Sequence, residues 1–213
     1  MRVLILANGA APSAKTASAA AGKHDTLIAT DGAAHKAAAM GLTPDIICGD
    51  FDSMDFDLAR QEFPAAEFVA LPDQNLADLE KAINLAMERG ATSVTVLGWN
   101  GGRVDHSLTS FALLHRFHSE LEISLEDDDS VVRSISGTPG HTGRLTIATQ
   151  PQDTISLIAF SKAENVSISG VSFPLEHASL PVGTHGVSNV ATADSVSIEI
   201  GEGSVLVCHI WSR

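Results

Sequence analysis

The sequence predicts an α/β N-terminal domain with a mostly parallel sheet, followed by a small all-β sandwich domain. Three observations carry this. Over residues 1–130 short apolar runs alternate with helical patterns, and such alternation implies parallel strands with helices on both faces. Over 131–213 the runs are short, β-branched and separated by Gly, Pro, Ser and Asn, with no helix of any length, which reads as an antiparallel sandwich or barrel. The length of 213 residues, 44% of them hydrophobic, is enough for one large domain or two modest ones.

The elements follow in order. "RVLILA" (2–7), "TLIAT" (26–30), "DIIC" (45–48), "EFVAL" (67–71) and "SVTVLG" (93–98) are the strands of the first domain. "AAHKAAAMG" (33–41), "MDFDLARQEF" (54–63), "LADLEKAINLAMERG" (76–90) and "HSLTSFALLHRFHS" (106–119) are its helices. In the third helix Leu79, Ile83, Ala86 and Met87 share one face, and Gly90 is placed to cap its end. "LEDDDS" (125–130), near the domain junction, reads as a solvated loop. "GRLTIAT", "TISLIAF", "NVSISG", "GVSNVA", "SVSIEI" and "SVLVCHI" are the strands of the second domain.

Composition excludes several classes. No run of 18 apolar residues is present, so no transmembrane helix is expected. The apolar N-terminus has a single basic residue, Arg2, and reads as a first strand rather than a signal peptide. Two cysteines far apart, Cys48 and Cys208, fit a reduced cytoplasm and no metal-ligand spacing. A formal net charge of −13 argues against a nucleic-acid partner. It also means that a phosphate-bearing ligand would need metal ions to reconcile the charges.

Asp31, Asp50, Asp52, Asp78 and Asp105 all follow strands and precede or open helices. In a doubly wound sheet such positions gather along the edge where ligands bind. Asp31, Asp52 and Asp105 could each be an N-cap, and Asp78 could pair with Asn75 in a capping-box-like arrangement. The pair at 50 and 52 resists that explanation, because one residue caps only one helix. Converging carboxylates repel unless a hard divalent cation lies between them, and Mg²⁺ suits such a site. In "GWNGGRVDHS" (98–107), Gly101 and Gly102 allow close backbone approach, and Arg103 offers a fork of donors suited to phosphate. His106 is a minor candidate base. No Gly-Lys-Ser/Thr completes a Walker loop, and no GxGxxG follows a strand.

Four ordered blocks, "ATDGAAHKAAAMGLTPDIICGDFDSM", "PDQNLADLEKAI", "LGWNGGRVDHSLTSFALL" and "GVSNVA", resemble the thiamine pyrophosphokinase (thiamine diphosphokinase) family. The resemblance implies an ATP-binding catalytic domain over 1–130, a thiamine-binding β-sandwich over 131–213, and a homodimer with active sites between subunits. By position it implies catalytic roles for Asp31, Asp50, Asp52, Asp78, Arg103 and Asp105. It assigns Gln74, Asp78, Arg103 and Asp105 to ATP, and Ser188 and Asn189 to thiamine. Ala33 stands where the family has a second Gly, and Ala77 where it commonly has Thr, which removes a hydroxyl near the site.

The implied reaction is attack of the thiamine hydroxyl on the β-phosphorus of ATP, giving thiamine diphosphate and AMP. Asp50, Asp52 and Asp78 are expected to bind Mg²⁺, directly or through water. Asp31 and Asp105 complete the acidic edge or orient the hydroxyl, and Arg103 stabilises phosphate charge. Phe173 and Trp211 are either stacking surfaces for the cationic ligand or core residues of the sandwich. A diphosphokinase for another heterocyclic alcohol such as a pterin, an Asp-x-Asp phosphatase, and a non-catalytic nucleotide- or thiamine-binding sensor remain alternatives.

Overall fold

The computed structural model describes residues 1–52 and 54–211. The chain forms two compact units, one spanning Met1–Asp128 and the other starting at Asp129.

In the first unit, β1 (Arg2–Leu6), β2 (Thr26–Thr30), β3 (Ile46–Gly49), β4 (Glu67–Ala70), β5 (Ser93–Leu97) and β6 (Glu122–Glu126) lie in the order β6-β5-β1-β2-β3-β4. Every pair is parallel. The intervening helices are α1 (Ala14–Ala21), α2 (Ala34–Ala39), α3 (Phe56–Glu62), α4 (Asp78–Glu88) and α5 (Val104–Phe117). Alternation along the strands divides the core. Leu4, Leu6, Leu27, Ala29 and Ile47 pack with Ala17 and Ala20 of α1, Ala34 and Ala37 of α2, and Phe63. Val3, Ile5, Ile28 and Cys48, equally buried, point the other way, where α4 crosses β1, β2 and β3 with buried Ala82, Ile83, Leu85 and Ala86. Gly90 ends α4 in the left-handed conformation of a Schellman motif: its N–H bonds the Met87 carbonyl, and the Ala91 N–H reaches back to Ala86.

The sequence did not announce α1 or β6. "AKTASAAA" has no large apolar side chain and so no visible helical stripe; Ser13 caps it by accepting from the Thr16 N–H. β6 buries Ile123 and Leu125 between acidic neighbours, which masks a strand as a charged loop. The reading of "LEDDDS" as a solvated loop holds only for 127–129, where Asp128 is exposed, and is corrected for its ends. Leu125 and Glu126 end β6, and Ser130 begins the next strand. Asp128 accepts from the Ser13 N–H (3.0 Å), the Ser13 hydroxyl (2.7 Å) and the Thr16 hydroxyl (2.6 Å), closing the N-terminus of α1.

The second unit contains β7 (Ser130–Gly137), β8 (Gly143–Ala148), β9 (Thr154–Ala159), β10 (Ala163–Ser169), β11 (Leu175–Leu180), β12 (Asn189–Val190) and β13 (Ser195–Ile210), all paired antiparallel, with no helix among the described residues. The two strands expected over 195–200 and 204–210 are one. Its first half pairs with β8 and β10, its second half with β7 and β9. Val196, Ile198 and Ile200 are buried on even numbers, Val205 and Val207 on odd ones, and all five enter one core. The phase of the alternation flips between 200 and 205, at "GEG", so a single strand serves both layers. β7 and β11 were also unanticipated; "LEHASL" carries Glu and His on its exposed face and lacks a clear apolar alternation.

Candidate active site

The acidic edge is built around Asp31. It opens a 3₁₀ turn directly after β2 and is 1% exposed. Its Oδ1 accepts from the Gly32 N–H at 2.6 Å and its Oδ2 from the Phe51 N–H at 3.0 Å. Gly49, at the end of β3, makes room for it: a Cβ there would lie 2.6 Å from the Asp31 carboxyl carbon. Asp31, Asp50 and Asp52 each bring a carboxylate oxygen to within 4.8 Å of the others.

Asp78, expected among the metal ligands, is not in that group. Its Oδ1 is held at 3.2 Å by Lys81 Nζ, which also lies 3.9 Å from Asp50. Lys81 is 5% exposed, and sequence reasoning missed it; its spacing of three from Asp78 on one helical face was the available signal. The capping explanations fail here: Asp55, not Asp52, caps α3, and Asn75 bonds Asp73 rather than Asp78. Gln74, assigned to the nucleotide, donates to Asp50 Oδ2 at 2.8 Å.

The charges respond as crowded carboxylates do. Burial holds the Asp31 carboxyl above its usual range, with the charges of Asp78 and Asp50 acting in the same direction. The Gln74 hydrogen bond lowers Asp50, and Asp52, hydrogen-bonded and repelled by Asp50, is raised. Four carboxylates against one lysine ammonium leave an excess of negative charge. The donors are all hard oxygens, which fits Mg²⁺ and not a soft-ligand metal.

Beside this edge lies a cavity of about 460 Å³, at the carboxyl ends of β1 and β5. That is where the strand order reverses direction, the place where open α/β sheets bind ligands. Its rim is held by backbone contacts. The Gly9 N–H bonds the Gly98 carbonyl at 2.7 Å, and the Ala10 N–H bonds that of Asn100 at 2.6 Å. A Cβ on Gly9 would lie 2.2 Å from the Asn100 carbonyl oxygen, so only glycine permits this closeness. Lys36 Nζ donates to the carbonyls of Asn8 and Gly9, both at 2.7 Å, and Asn100 is tied to Asp127 at 3.0 Å. None of these braces was legible in the sequence.

Two helices start at the cavity. α4 has Ala77 as its N-cap and α5 has Arg103, and neither side chain makes a capping hydrogen bond. α4 leaves its first-turn N–H groups without a side-chain partner beside the cavity, whereas at α5 the Asp105 carboxylate accepts from the His106 N–H at 3.0 Å; the cavity also touches Asp78, Arg103, Asp105 and His106. Arg103 grips Asp105 with two hydrogen bonds, at 3.1 and 2.6 Å, and holds that carboxyl down at about 2. The predicted residues thus fall into two adjoining sets: Asp31, Asp50, Asp52 and Gln74 at the acidic edge, and Arg103 and Asp105 at the cavity, with Asp78 on the cavity wall and bonded to Lys81.

In the second unit, Phe173 is 72% exposed. Asn189 Oδ1 accepts from the Phe173 N–H at 3.0 Å and from the Val190 N–H at 2.9 Å, while its Nδ2 donates to the Phe173 carbonyl at 2.7 Å. Its amide is thus engaged with backbone, and it presents the Phe173 ring. Ser188 adopts a positive φ of 63° and donates its N–H to the Ser156 hydroxyl at 3.0 Å. Trp211 packs edge-on against His209, which is buried and bonded to Asp153 at 2.8 Å.

Comparison with known proteins then decides the family. Residues 18–125 match the model described as thiamin pyrophosphokinase, catalytic domain, and residues 144–205 match thiamin pyrophosphokinase, vitamin B1 binding domain. The chain belongs to the thiamin pyrophosphokinase family. It is 29% identical over 184 residues to thiamin pyrophosphokinase 1 of Caenorhabditis elegans, covering 81% of this chain and 74% of that one. It is 26% identical over 148 residues to thiamine pyrophosphokinase of Bacillus subtilis (strain 168), covering 68% and 67%. The crystal structure of thiamine pyrophosphokinase from Bacillus subtilis shares the fold over all of both chains, with a TM-score of 0.85 at 21% identity. That of thiamin pyrophosphokinase from Candida albicans does so over 98% of this chain and 88% of its own, with a TM-score of 0.81 at 16% identity. Membership of the thiamin pyrophosphokinase family favours neither the pterin, the phosphatase nor the sensor alternative.

The raised carboxyl of Asp52 gives a signed expectation. A group whose folded pKa lies above its unfolded value binds more protons when folded, so its unfavourable contribution is relieved as pH falls through the folded value toward the ordinary carboxylate range near 4. Asp52→Asn removes that contribution. Measured by urea unfolding without divalent cations, the variant gains on the parent at pH 7, and the gain shrinks as pH falls toward 4. A difference that does not vary with pH would mean that Asp50 and Asp52 do not repel.

Proposed function

We propose that this member of the thiamin pyrophosphokinase family transfers diphosphate from ATP to the hydroxyl of thiamine, giving thiamine diphosphate and AMP. Beyond the family match, one observation supports it most: a cavity at the strand-order reversal, bordered by the N-termini of two helices whose N-cap side chains make no capping hydrogen bond, adjoins a three-carboxylate group. Helix N-termini favour the anionic polyphosphate, and carboxylates favour the cation that accompanies it.

In this reading the thiamine oxygen forms a bond to the β-phosphorus, the bond from that phosphorus to the bridging oxygen of the α-phosphate breaks, and AMP departs with that oxygen. The hydroxyl proton goes to a carboxylate or to water. Bound Mg²⁺ supplies charge neutralisation on the phosphate oxygens. Asp50 and Asp52 are its proposed ligands, joined by Asp31 in place of Asp78. Gln74 then orients Asp50 rather than the nucleotide, and Lys81 limits the repulsion between Asp50 and Asp78. Arg103, kept in place by Asp105, meets the charge that builds on the transferred group. Phe173 offers its exposed face to the thiamine cation, with Ser188 and Asn189 shaping the loop that carries it. We place the protein in the cytoplasm, a reducing compartment in which two free cysteines stay unpaired. No described helix is long and apolar enough to cross a membrane.

Formation of AMP from ATP in the presence of thiamine and Mg²⁺ is the deciding assay. Asp50→Asn and Asp52→Asn are each expected to lower kcat/KM by about 10²- to 10³-fold, the scale of one electrostatic contact to developing charge, while circular dichroism stays that of the parent. Parental activity in both variants at limiting Mg²⁺ would remove the cluster from the mechanism.

Asn189→Ala releases the Phe173 loop and is expected to raise the KM for thiamine about 10-fold, roughly 1.4 kcal/mol, with that for ATP unchanged. Equal loss for both substrates would assign the residue to general stability.

The reading includes a homodimer, supported by the exposed apolar side chains of Phe173, Val182 and Val187. A fully active monomer in sedimentation velocity at assay concentration would overturn it.

A further inference from the structure

Phe51 is the residue between Asp50 and Asp52, and its backbone is left-handed, with φ at 62°. A bulky side chain in that region is an outlier, and it persists only where its surroundings over-determine it. Those surroundings are specific. The Phe51 ring lies 5.2 Å from that of Phe56 and 6.1 Å from that of Phe68, and those two are 5.2 Å apart, edge to face. The Arg60 guanidinium sits over both partners, 4.8 Å from the Phe56 ring and 5.3 Å from the Phe68 ring. The peptide N–H of the same residue donates to Asp31 Oδ2. One residue thus links an aromatic cluster on its side-chain side to all three close carboxylates on its backbone side: Asp50 before it, Asp52 after it, and Asp31 through the hydrogen bond.

We propose that Phe51 is a positioning residue for a hard divalent cation: its ring, wedged between Phe56 and Phe68, locks the left-handed turn that gathers the carboxylates of Asp50 and Asp52 at Asp31. The proposal rests on the cation reading of that cluster. The packing energy of the ring offsets the strain of the turn and the repulsion between the carboxylates before any cation arrives. The site is preorganised, so the cation does not have to drive the turn itself. An aromatic ring at this position acts on the cation entirely through the backbone.

Binding of Mn²⁺ alone tests this in the full chain. Free aqueous Mn²⁺ is read by its electron paramagnetic resonance signal in Phe51→Ala, Phe51→Gly and Phe51→Tyr, with thermal unfolding of each measured without metal. Alanine and glycine both lose the anchor, and each is expected to bind Mn²⁺ about 10- to 100-fold more weakly, the scale on which outer-shell partners act. Tyrosine keeps the ring and restores parental affinity. Glycine accepts positive φ without the steric cost that alanine meets, so Phe51→Gly unfolds at a higher temperature than Phe51→Ala. A residue that merely filled the core would give the opposite order. Parental Mn²⁺ affinity in the glycine variant, or glycine less stable than alanine, would overturn the proposal. A parent protein that itself binds no Mn²⁺ would instead overturn the cation reading on which it stands.

Discussion

A carboxylate almost sealed from water governs the first unit. Asp31 is held by two backbone N–H groups, from Gly32 and Phe51. A buried charge is tolerable only when its hydrogen-bonding capacity is met and its surroundings are polar enough. Several features of the neighbouring chain follow from that requirement. Residue 49 must lack a side chain, because any Cβ would collide with the carboxyl group. The peptide of Phe51 must point inward to donate. The left-handed turn that accompanies this leaves Asp50 and Asp52 facing the same place. The acidic edge is therefore one construction and not a chance gathering of separate helix caps.

Such a construction opposes itself electrostatically. Lys81 is the protein's own partial remedy, a buried ammonium placed between Asp50 and Asp78. It stands nearer to Asp78, which lies outside the group of three carboxylates that converge. Sequence position predicted that all the carboxylates would reach one edge, and they do reach adjoining ones. It could not predict how they partition there, because that depends on a lysine whose burial follows only from the packing of α4 against β1, β2 and β3.

What the sequence made legible shares a common property: each strongly apolar, short run quoted for the first unit is a strand in the structure, among them "RVLILA", "TLIAT" and "SVTVLG", within a residue or two of its ends. What stayed hidden lacks that contrast. α1 is made of alanines and hydroxyl residues, whose small side chains leave no stripe. β6 and β11 carry charges on their outward faces, and β13 joins two patterns of opposite phase. The site divides in the same way. Carboxylates and an arginine after strands are visible in one dimension. The contacts that hold them, such as Lys36 on the carbonyls of Asn8 and Gly9, or the Asn189 amide spent on the backbone of Phe173, join residues far apart in sequence and leave no pattern in it.

The acidic run at 125–130 shows why this distinction matters for function. In many doubly wound proteins the first helix after β1 offers its N-terminus to a phosphate. Here that N-terminus is already occupied from within: Asp128 takes the Ser13 N–H, the Ser13 hydroxyl and the Thr16 hydroxyl. A carboxylate in that position repels an incoming phosphate and uses the donors that would have bound it. The helices that start at the cavity are α4 and α5, whose N-cap side chains make no capping hydrogen bond; Asp105 accepts from the His106 N–H of α5, but its charge is paired with Arg103. The missing GxGxxG fingerprint and the acidic run are thus two signs of one arrangement. The protein closes the N-terminus of α1 with its own side chain, and the helix N-termini that open on the cavity are those of α4 and α5.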